Sequence, residues 1–302
     1  MDPLAVQQPP GAGEEKKFDA PESAREGDAL KGSVREFYEK VGWNADADGV
    51  FEDASRFEDL RPVGRSYLAR CHERVSRHLP ASGRYLLDVA SGPVQREEFL
   101  AYSAGHRHRV CVDLTMSALR GARRRLGAHG LYVIGDITRL PFREGAFDGV
   151  VSLHTIYHVP AGQQAGAFLE LFRVVRAGSS AVVVYAWGQH APLMFLFDAL
   201  PHKLASLWRR LRRGGSSGAE PGALYFAPQS PGWFRREVAA RVPAEIKVWR
   251  SLSPFFQRHF VPANALGAWF LDRIYALEER WPGLLGRWGN YPLLVLRKPA
   301  DR

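Results

Sequence analysis

At 302 residues the chain exceeds a bare α/β domain and falls short of two ordinary domains with linkers. No stretch reaches the ~18 consecutive apolar residues of a transmembrane helix, and the first 30 residues lack the apolar run of a signal peptide. Two cysteines, Cys71 and Cys111, give no disulfide framework, so a cytoplasmic protein is expected. The net charge of +9 is almost wholly an arginine effect, and the arginines are scattered without an aromatic-interleaved motif. Nucleic acid is therefore not the expected partner.

Residues 1–30 are rich in Pro, Gly, Glu and Ala without apolar periodicity, which predicts a disordered tail. A helix is expected around Val34 to Tyr38. From Tyr85 the pattern changes to short apolar runs of the kind that form strands buried on both faces: Tyr85–Val89, Arg109–Val112, Leu131–Ile134, Gly149–Leu153 and Ala181–Tyr185. Between them Arg96–Ala104, Ser117–Gly127 and Gln163–Val175 have helical character, with Ser117 a candidate N-cap. Strands alternating with helices predict βαβ units and a parallel sheet. Two later runs, Ile246–Trp249 and Pro292–Leu296, predict two more strands.

Aspartates follow three of the strands: Asp88, Asp113 and Asp136. Open α/β sheets bind ligands outside the carboxyl ends of their strands. Ala90, Ser91 and Gly92 are small enough for the backbone to approach a ligand there, and Gly92 tolerates positive φ. Asp88 would repel a phosphate and suits a cationic or donor group. Asp113, about 21 residues beyond Gly92, suits the two hydroxyls of a ribose, a spacing that a nicotinamide dinucleotide would also want. Asp136 suits an exocyclic amine of adenine.

DVASGP at Asp88–Pro93, VCVDLTMSALRGARRR from Val110 and GDITRLPFREGAFDGVVSLHTIYHV from Gly135 to Val159 resemble the successive motifs of class I S-adenosylmethionine-dependent methyltransferases, the type that includes quinone C-methylating and many small-molecule enzymes. The resemblance spans roughly residues 85–187. It implies a Rossmann-like seven-stranded methyltransferase sheet, mostly parallel with an antiparallel last strand. It also implies S-adenosylmethionine as cofactor and a small, partly apolar acceptor methylated on oxygen, carbon or nitrogen. Matched motif by motif, Asp88, Ala90, Ser91, Gly92, Asp113, Leu114, Asp136, Ile137 and Leu153 become cofactor-binding residues. Tyr38 is the N-terminal aromatic that commonly closes over the cofactor in similar enzymes, with Arg61 nearby. His154 and His158, after the fourth strand, are the catalytic candidates, with His154 a general base of ordinary pKa; packing histidines are the alternative. No cysteine or histidine grouping has metal-ligand spacing, so no metal is expected.

Of the three alternating glycines in the family's first motif, this chain keeps only Gly92; Ala90 and Val94 stand at the others. Ala90 is conservative if its φ is negative, whereas Val94 adds bulk near the methionine part of the cofactor. That departure supports a second reading, a non-catalytic scaffold on the same fold. An RNA methyltransferase and a nicotinamide-dependent oxidoreductase are weaker alternatives.

The expected organisation is a tail over 1–30 and one methyltransferase domain over 31–302. That domain divides into N-terminal lid helices 31–80, a core 84–187 and lid insertions 188–243 and 260–290. Trp208, Tyr225, Phe226, Trp233, Phe234, Phe255, Phe256 and Trp269 in the insertions are candidates for an apolar acceptor pocket. Residues 203–213 combine helically spaced Leu204, Leu207, Trp208 and Leu211 with five basic residues, either a membrane-surface contact or a solvated helix face. Oligomeric state is not legible.

Overall fold

The computed structural model describes residues 22–44, 51–194 and 224–300. Its strands are β1 (Gly83–Val89), β2 (His106–Asp113), β3 (Gly130–Ile134), β4 (Gly149–Leu153), β5 (Ser180–Val184), β6 (Ala244–Arg250) and β7 (Tyr291–Arg297), joined in one sheet of order β3-β2-β1-β4-β5-β7-β6. The first five pair in parallel, and β7 runs antiparallel between β5 and β6. A dinucleotide-binding sheet of order 3-2-1-4-5-6 has no such inserted strand.

The helices used below are α1 (Glu22–Phe37), α2 (Glu52–Phe57), α3 (Pro62–Ser76), α4 (Glu97–Ala101), α5 (Met116–Leu126), α6 (Gln164–Val174), α7 (Pro254–Phe260), α8 (Ala265–Arg280) and α9 (Pro282–Trp288). Alternate strand residues supply the two sheet faces. Leu87, Val150, Val183 and Leu294 pack with Phe168, Leu171 and Phe234 on one side. Leu86, Val151, Val182 and Val295 pack with Tyr67, Leu68, Cys71 and Leu271 on the other.

Several boundaries differ from expectation. Helix α1 begins at Glu22, inside the stretch expected to be disordered; residues 1–21 and the basic segment 203–213 lie outside the described residues. Helix α4 stops at Ala101 because the chain must turn into β2, and a Cβ on Gly105 would stand 1.9 Å from the Ala81 carbonyl oxygen. Thr115, not Ser117, is the N-cap of α5; the Met116 amide instead donates to Glu39 Oε1 at 2.8 Å, a cap supplied by the N-terminal segment.

In the insertion 260–290, α8 packs against α3 and α9 against β6 and β7, and none of its residues lines the cavities described below. A buried polar cluster joins them. Arg74 of α3 donates to Glu278 Oε2 of α8 at 2.8 Å and to the Trp249 carbonyl at 2.7 Å. Glu278 Oε1 accepts from Tyr67 Oη at 2.6 Å, Ser251 N at 2.7 Å and Ser251 Oγ at 2.6 Å. Thus one carboxylate holds α3, α8 and the end of β6, where a bulge at Val248/Arg250 breaks the strand's alternation. Glu278→Ala orphans the Tyr67 and Ser251 donors and leaves Arg74 only its half-exposed carboxylate partner Glu279, so it should lower stability by roughly 3 kcal/mol in urea unfolding. A loss under ~1 kcal/mol would show that the cluster is not a structural anchor.

Candidate active site

Beyond the carboxyl ends of β1, β2 and β4 lies a cavity of about 350 Å³, a size used by small-molecule sites. Tyr38, Asp88, Ala90, Ser91, Gly92, Asp113, Leu114, Leu153, His154 and His158 line it. Asp136 and Ile137 line a smaller cavity of about 40 Å³, which shares Val34, Ala90, Leu114, Thr155 and His158 with the first. All twelve sequence-derived candidates therefore meet at one sheet edge.

The turn after β1 explains how the motif survives without its glycines. Ala90, Gly92 and Val94 have φ of 55°, 56° and 54°, so every alternate position is left-handed. Ala90 is therefore not the conservative replacement that a negative φ would make it. A left-handed L-residue costs roughly 1–2 kcal/mol, and more is expected of a β-branched one. Val94 recovers energy by complete burial against Cys111, Leu119 and Ala122. It points away from the cavity, so the expected bulk near the cofactor is absent, and with it the main ground for the scaffold reading. Gly121 lets α5 approach, since a Cβ there would stand 2.4 Å from Pro93 Cβ. Trp43 covers Gly92, and its ring stacks on Tyr38 with centroids 4.8 Å apart.

Each carboxylate has protein partners. Asp88 Oδ2 accepts from Arg109 Nε at 3.0 Å and from a second guanidinium nitrogen, so one of its two oxygens is already held by the chain's own Arg109. Asp113 Oδ2 accepts from the Gly92 amide at 3.0 Å, and its Oδ1 from Thr115 N at 2.9 Å and Thr115 Oγ1 at 2.8 Å. Burial raises the Asp113 pKa against these donors. Asp136 accepts from Lys31 Nζ of α1 at 2.7 Å and from Thr138. Burial pushes its pKa up, but the Lys31 and Thr138 donors outweigh it and leave the carboxyl below its ordinary range.

Much of the remaining wall is aromatic. Trp249 and Tyr291 flank His154 at centroid distances of 4.7 and 5.4 Å, and Phe99, Tyr157 and Phe226 complete the wall. Of the insertion aromatics, Phe226 lines the cavity; Trp233 and Phe234 pack toward Phe168, and Phe255, Phe256 and Trp269 lie elsewhere. Trp208 is outside the described residues. Trp249 ends an expected strand and Tyr291 precedes the next; the irregularity at Val248/Arg250 lies beside Trp249, and Arg250 pairs with Tyr291. Arg61 is not a site residue: it binds Asp59 and the Val261 carbonyl, fastening the start of α3 to α7.

Neither site histidine has an ordinary pKa. Burial, with Arg250 adding to it, pushes His154 well below 6.5, and its φ of 57° marks a third strained residue at this edge. Burial takes His158 down to about 4, partly offset by the Tyr225 carbonyl, 2.6 Å from Nδ1. A carbonyl only accepts, so Nδ1 carries the proton. His158 also packs edge-on to Tyr38 and Tyr157. Among the described residues no group of His, Cys, Asp or Glu could hold a metal ion, and no helix is long and apolar enough to cross a membrane.

Residues 87–183 match the family described as a methyltransferase domain. The ubiquinone/menaquinone biosynthesis C-methyltransferase of Roseobacter denitrificans is 34% identical over 45% of this chain and 57% of that protein. The demethylmenaquinone methyltransferase of Roseiflexus castenholzii is 29% identical over 50% and 61% respectively. This chain thus spans less than two thirds of the curated relatives it matches. Geranyl diphosphate C-methyltransferase from Streptomyces coelicolor, solved with Mg2+, geranyl diphosphate and S-adenosyl-L-homocysteine, shares the fold at a TM-score of 0.53, 14% identity, over 89% of this chain and 97% of that one. Haemonchus contortus phosphoethanolamine N-methyltransferase 2, solved with S-adenosyl-L-methionine, aligns at 0.52 and 15% identity, over 88% and 60%. Residues 87–183 thus carry a methyltransferase domain, set in a mostly parallel seven-stranded sheet.

His72, also in the cavity wall, gives a test of the enclosure. Burial, helped by Arg250, holds its pKa near about 3, against about 6.5 for an unfolded histidine. The folded state keeps it neutral while the unfolded state takes up a proton below pH ~6.5. Stability from this group is therefore present above ~6.5 and lost as pH falls toward 3, at up to ~1.4 kcal/mol per pH unit. Between pH 7 and 5, urea unfolding of His72→Gln should lose about 2 kcal/mol less than wild type. Equal losses would mean that water reaches the imidazole.

Proposed function

We propose that this protein is an S-adenosylmethionine-dependent methyltransferase acting on a small, partly apolar acceptor. The observation that carries this reading is the continuity of one cavity, with the carboxylates and strained turn at one end and the Trp249–Tyr291–His154 aromatic wall at the other. The residues fit the cofactor. The left-handed turn exposes backbone, Asp113 supplies an acceptor for ribose, and the small cavity at Asp136 and Ile137 suits a flat base.

When bound, S-adenosylmethionine supplies an electrophilic methyl group on a sulfonium. The chain's own work is chiefly positioning. Asp88 presents its Oδ1 to the ammonium of the amino-acid end, while Arg109 holds Oδ2. Asp113 has about four lone-pair sites, three already taken, so Oδ2 accepts one ribose hydroxyl directly. Accepting both requires the Thr115 hydroxyl to turn away. Asp136 receives the adenine amine beside or in place of Lys31, and Leu114 and Ile137 flank the base. Tyr38 and Trp43 exclude water over the turn. Leu153 and His154 separate cofactor from acceptor. A half-buried imidazole with depressed pKa is a poor base near neutrality, so we assign His154 to positioning the acceptor, not to the general-base role its sequence position suggests.

The relatives named as quinone-pathway C-methyltransferases and the aromatic wall support an aromatic or isoprenoid-like acceptor. A cytoplasmic location fits two buried thiols without disulfides.

Calorimetry with S-adenosylmethionine and S-adenosylhomocysteine tests the reading. Both should bind, and Asp113→Ala should weaken each at least tenfold, about 1.4 kcal/mol, while remaining folded. Unchanged affinity in the variant would remove Asp113 from the site. Failure of the wild type to bind either ligand would remove the function.

A further inference from the structure

We propose that the aromatic end of the cavity is a carboxylate subsite: the acceptor carries a monoanionic acid group that Arg250 holds. The proposal rests on the methyltransferase reading and names the class of its acceptor.

Arg250 lines the cavity at 3% exposure, yet among the described residues it has neither a carboxylate partner nor a hydrogen-bond acceptor, and its Nε is buried without one. The other buried arginines are answered. Arg74 is paired with Glu278 and Glu279, and Arg109 with Asp88. A guanidinium withdrawn from water without an anion is costly. Among the described residues this arrangement occurs at one place, the wall of the cavity. The group is held in position by its neighbours, with its central carbon 5.0 Å from the Trp249 ring centroid and 4.6 Å from that of Tyr291. In a regular strand Trp249 and Arg250 would face opposite sides; the bulge at this point gives both to the cavity, and Arg74 fixes the Trp249 carbonyl behind them.

The surroundings set the charge of the ligand. Glu58 in the cavity wall is paired with Arg96 and Asp88 with Arg109, so neither carboxylate is free to answer Arg250, whose single charge suits a monoanion rather than a phosphate dianion. His72 and Trp249 belong to the same wall, and His72 Nε2 and Trp249 Nε1 are buried there without partners. The depressed pKa values of His72 and His154, caused first by burial and next by Arg250, agree with a positive field that no protein carboxylate cancels.

Two molecules could bring a carboxylate here, the acceptor and the amino-acid end of the cofactor. We assign it to the acceptor because Arg250 stands among Trp249 and Tyr291, whereas the amino-acid end has the Asp88–Arg109 pair beside Gly92.

The test is calorimetry at pH 7.5 on the full chain saturated with S-adenosylhomocysteine, using benzoate, its neutral counterpart benzamide, and inorganic phosphate as probes. Benzoate should bind with Kd on the order of 1 mM, at least tenfold tighter than benzamide and than phosphate. Arg250→Gln should erase that preference without changing affinity for S-adenosylhomocysteine, and Arg250→Lys should keep part of it. Benzoate that fails to bind, that binds no better than benzamide, or that survives Arg250→Gln overturns the subsite. Tighter phosphate overturns the monoanion assignment. If Arg250→Gln instead weakens S-adenosylhomocysteine, the carboxylate is the cofactor's and the acceptor assignment falls. Should Arg250→Gln not fold, the wild-type benzoate-to-benzamide ratio and its reduction in Arg250→Lys decide. Cofactor binding without benzoate preference sinks this proposal alone, whereas absent cofactor binding sinks the function beneath it.

Discussion

The carboxylates beyond β1, β2 and β3 are drawn out of water together, and each must find donors within the protein. Asp88 finds Arg109 on the neighbouring strand, 21 residues later and thus one βα step across the sheet. Asp113 finds the Gly92 amide and Thr115, tying the first turn to the start of α5. Asp136 finds Lys31, which belongs to the N-terminal helix. The charges at this edge therefore do more than await a ligand: they assemble the rim. Lys31 on Asp136, Glu39 on the Met116 amide and Trp43 over Gly92 attach the N-terminal segment at three points, which closes one side of the cavity.

Strain is concentrated at the same edge. Ala90, Val94 and His154 are the non-glycine residues with positive φ among those described. Each is over-determined by its surroundings: Val94 by full burial, Ala90 by the turn between Asp88 and Gly92, His154 by the Val184 carbonyl at 2.9 Å and the rings on either side. A backbone held at unfavourable dihedrals by packing is a preorganised surface, because it need not reorganise when a ligand arrives. It also explains how a glycine motif can lose two glycines and keep its shape.

The sheet was legible in the chain because buried parallel strands write themselves as short apolar runs, and with it the convergence of the strand-end candidates on one edge. What was not legible depended on contacts distant in sequence. Nothing near Asp88 announces Arg109, and nothing near Asp136 announces Lys31. Val94 looked like bulk in the cofactor channel because side-chain direction in a left-handed turn cannot be read from residue type. The aromatics beside His154 were not legible either: Trp249 ends one expected strand and Tyr291 precedes the next, and a β-bulge leaves no mark in an apolar pattern. The expectation of an ordinary pKa for His154 failed for the same reason, because burial and Arg250 act through space.

The most direct measurement is a crystal structure of the full chain with S-adenosylhomocysteine. The account predicts ribose hydroxyl density at Asp113 Oδ2, the base in the space lined by Leu114 and Ile137, and the thioether sulfur facing the wall formed by His154, Trp249 and Tyr291. Ligand bound elsewhere on the molecule, or a ribose turned away from Asp113 in this cavity, would contradict it.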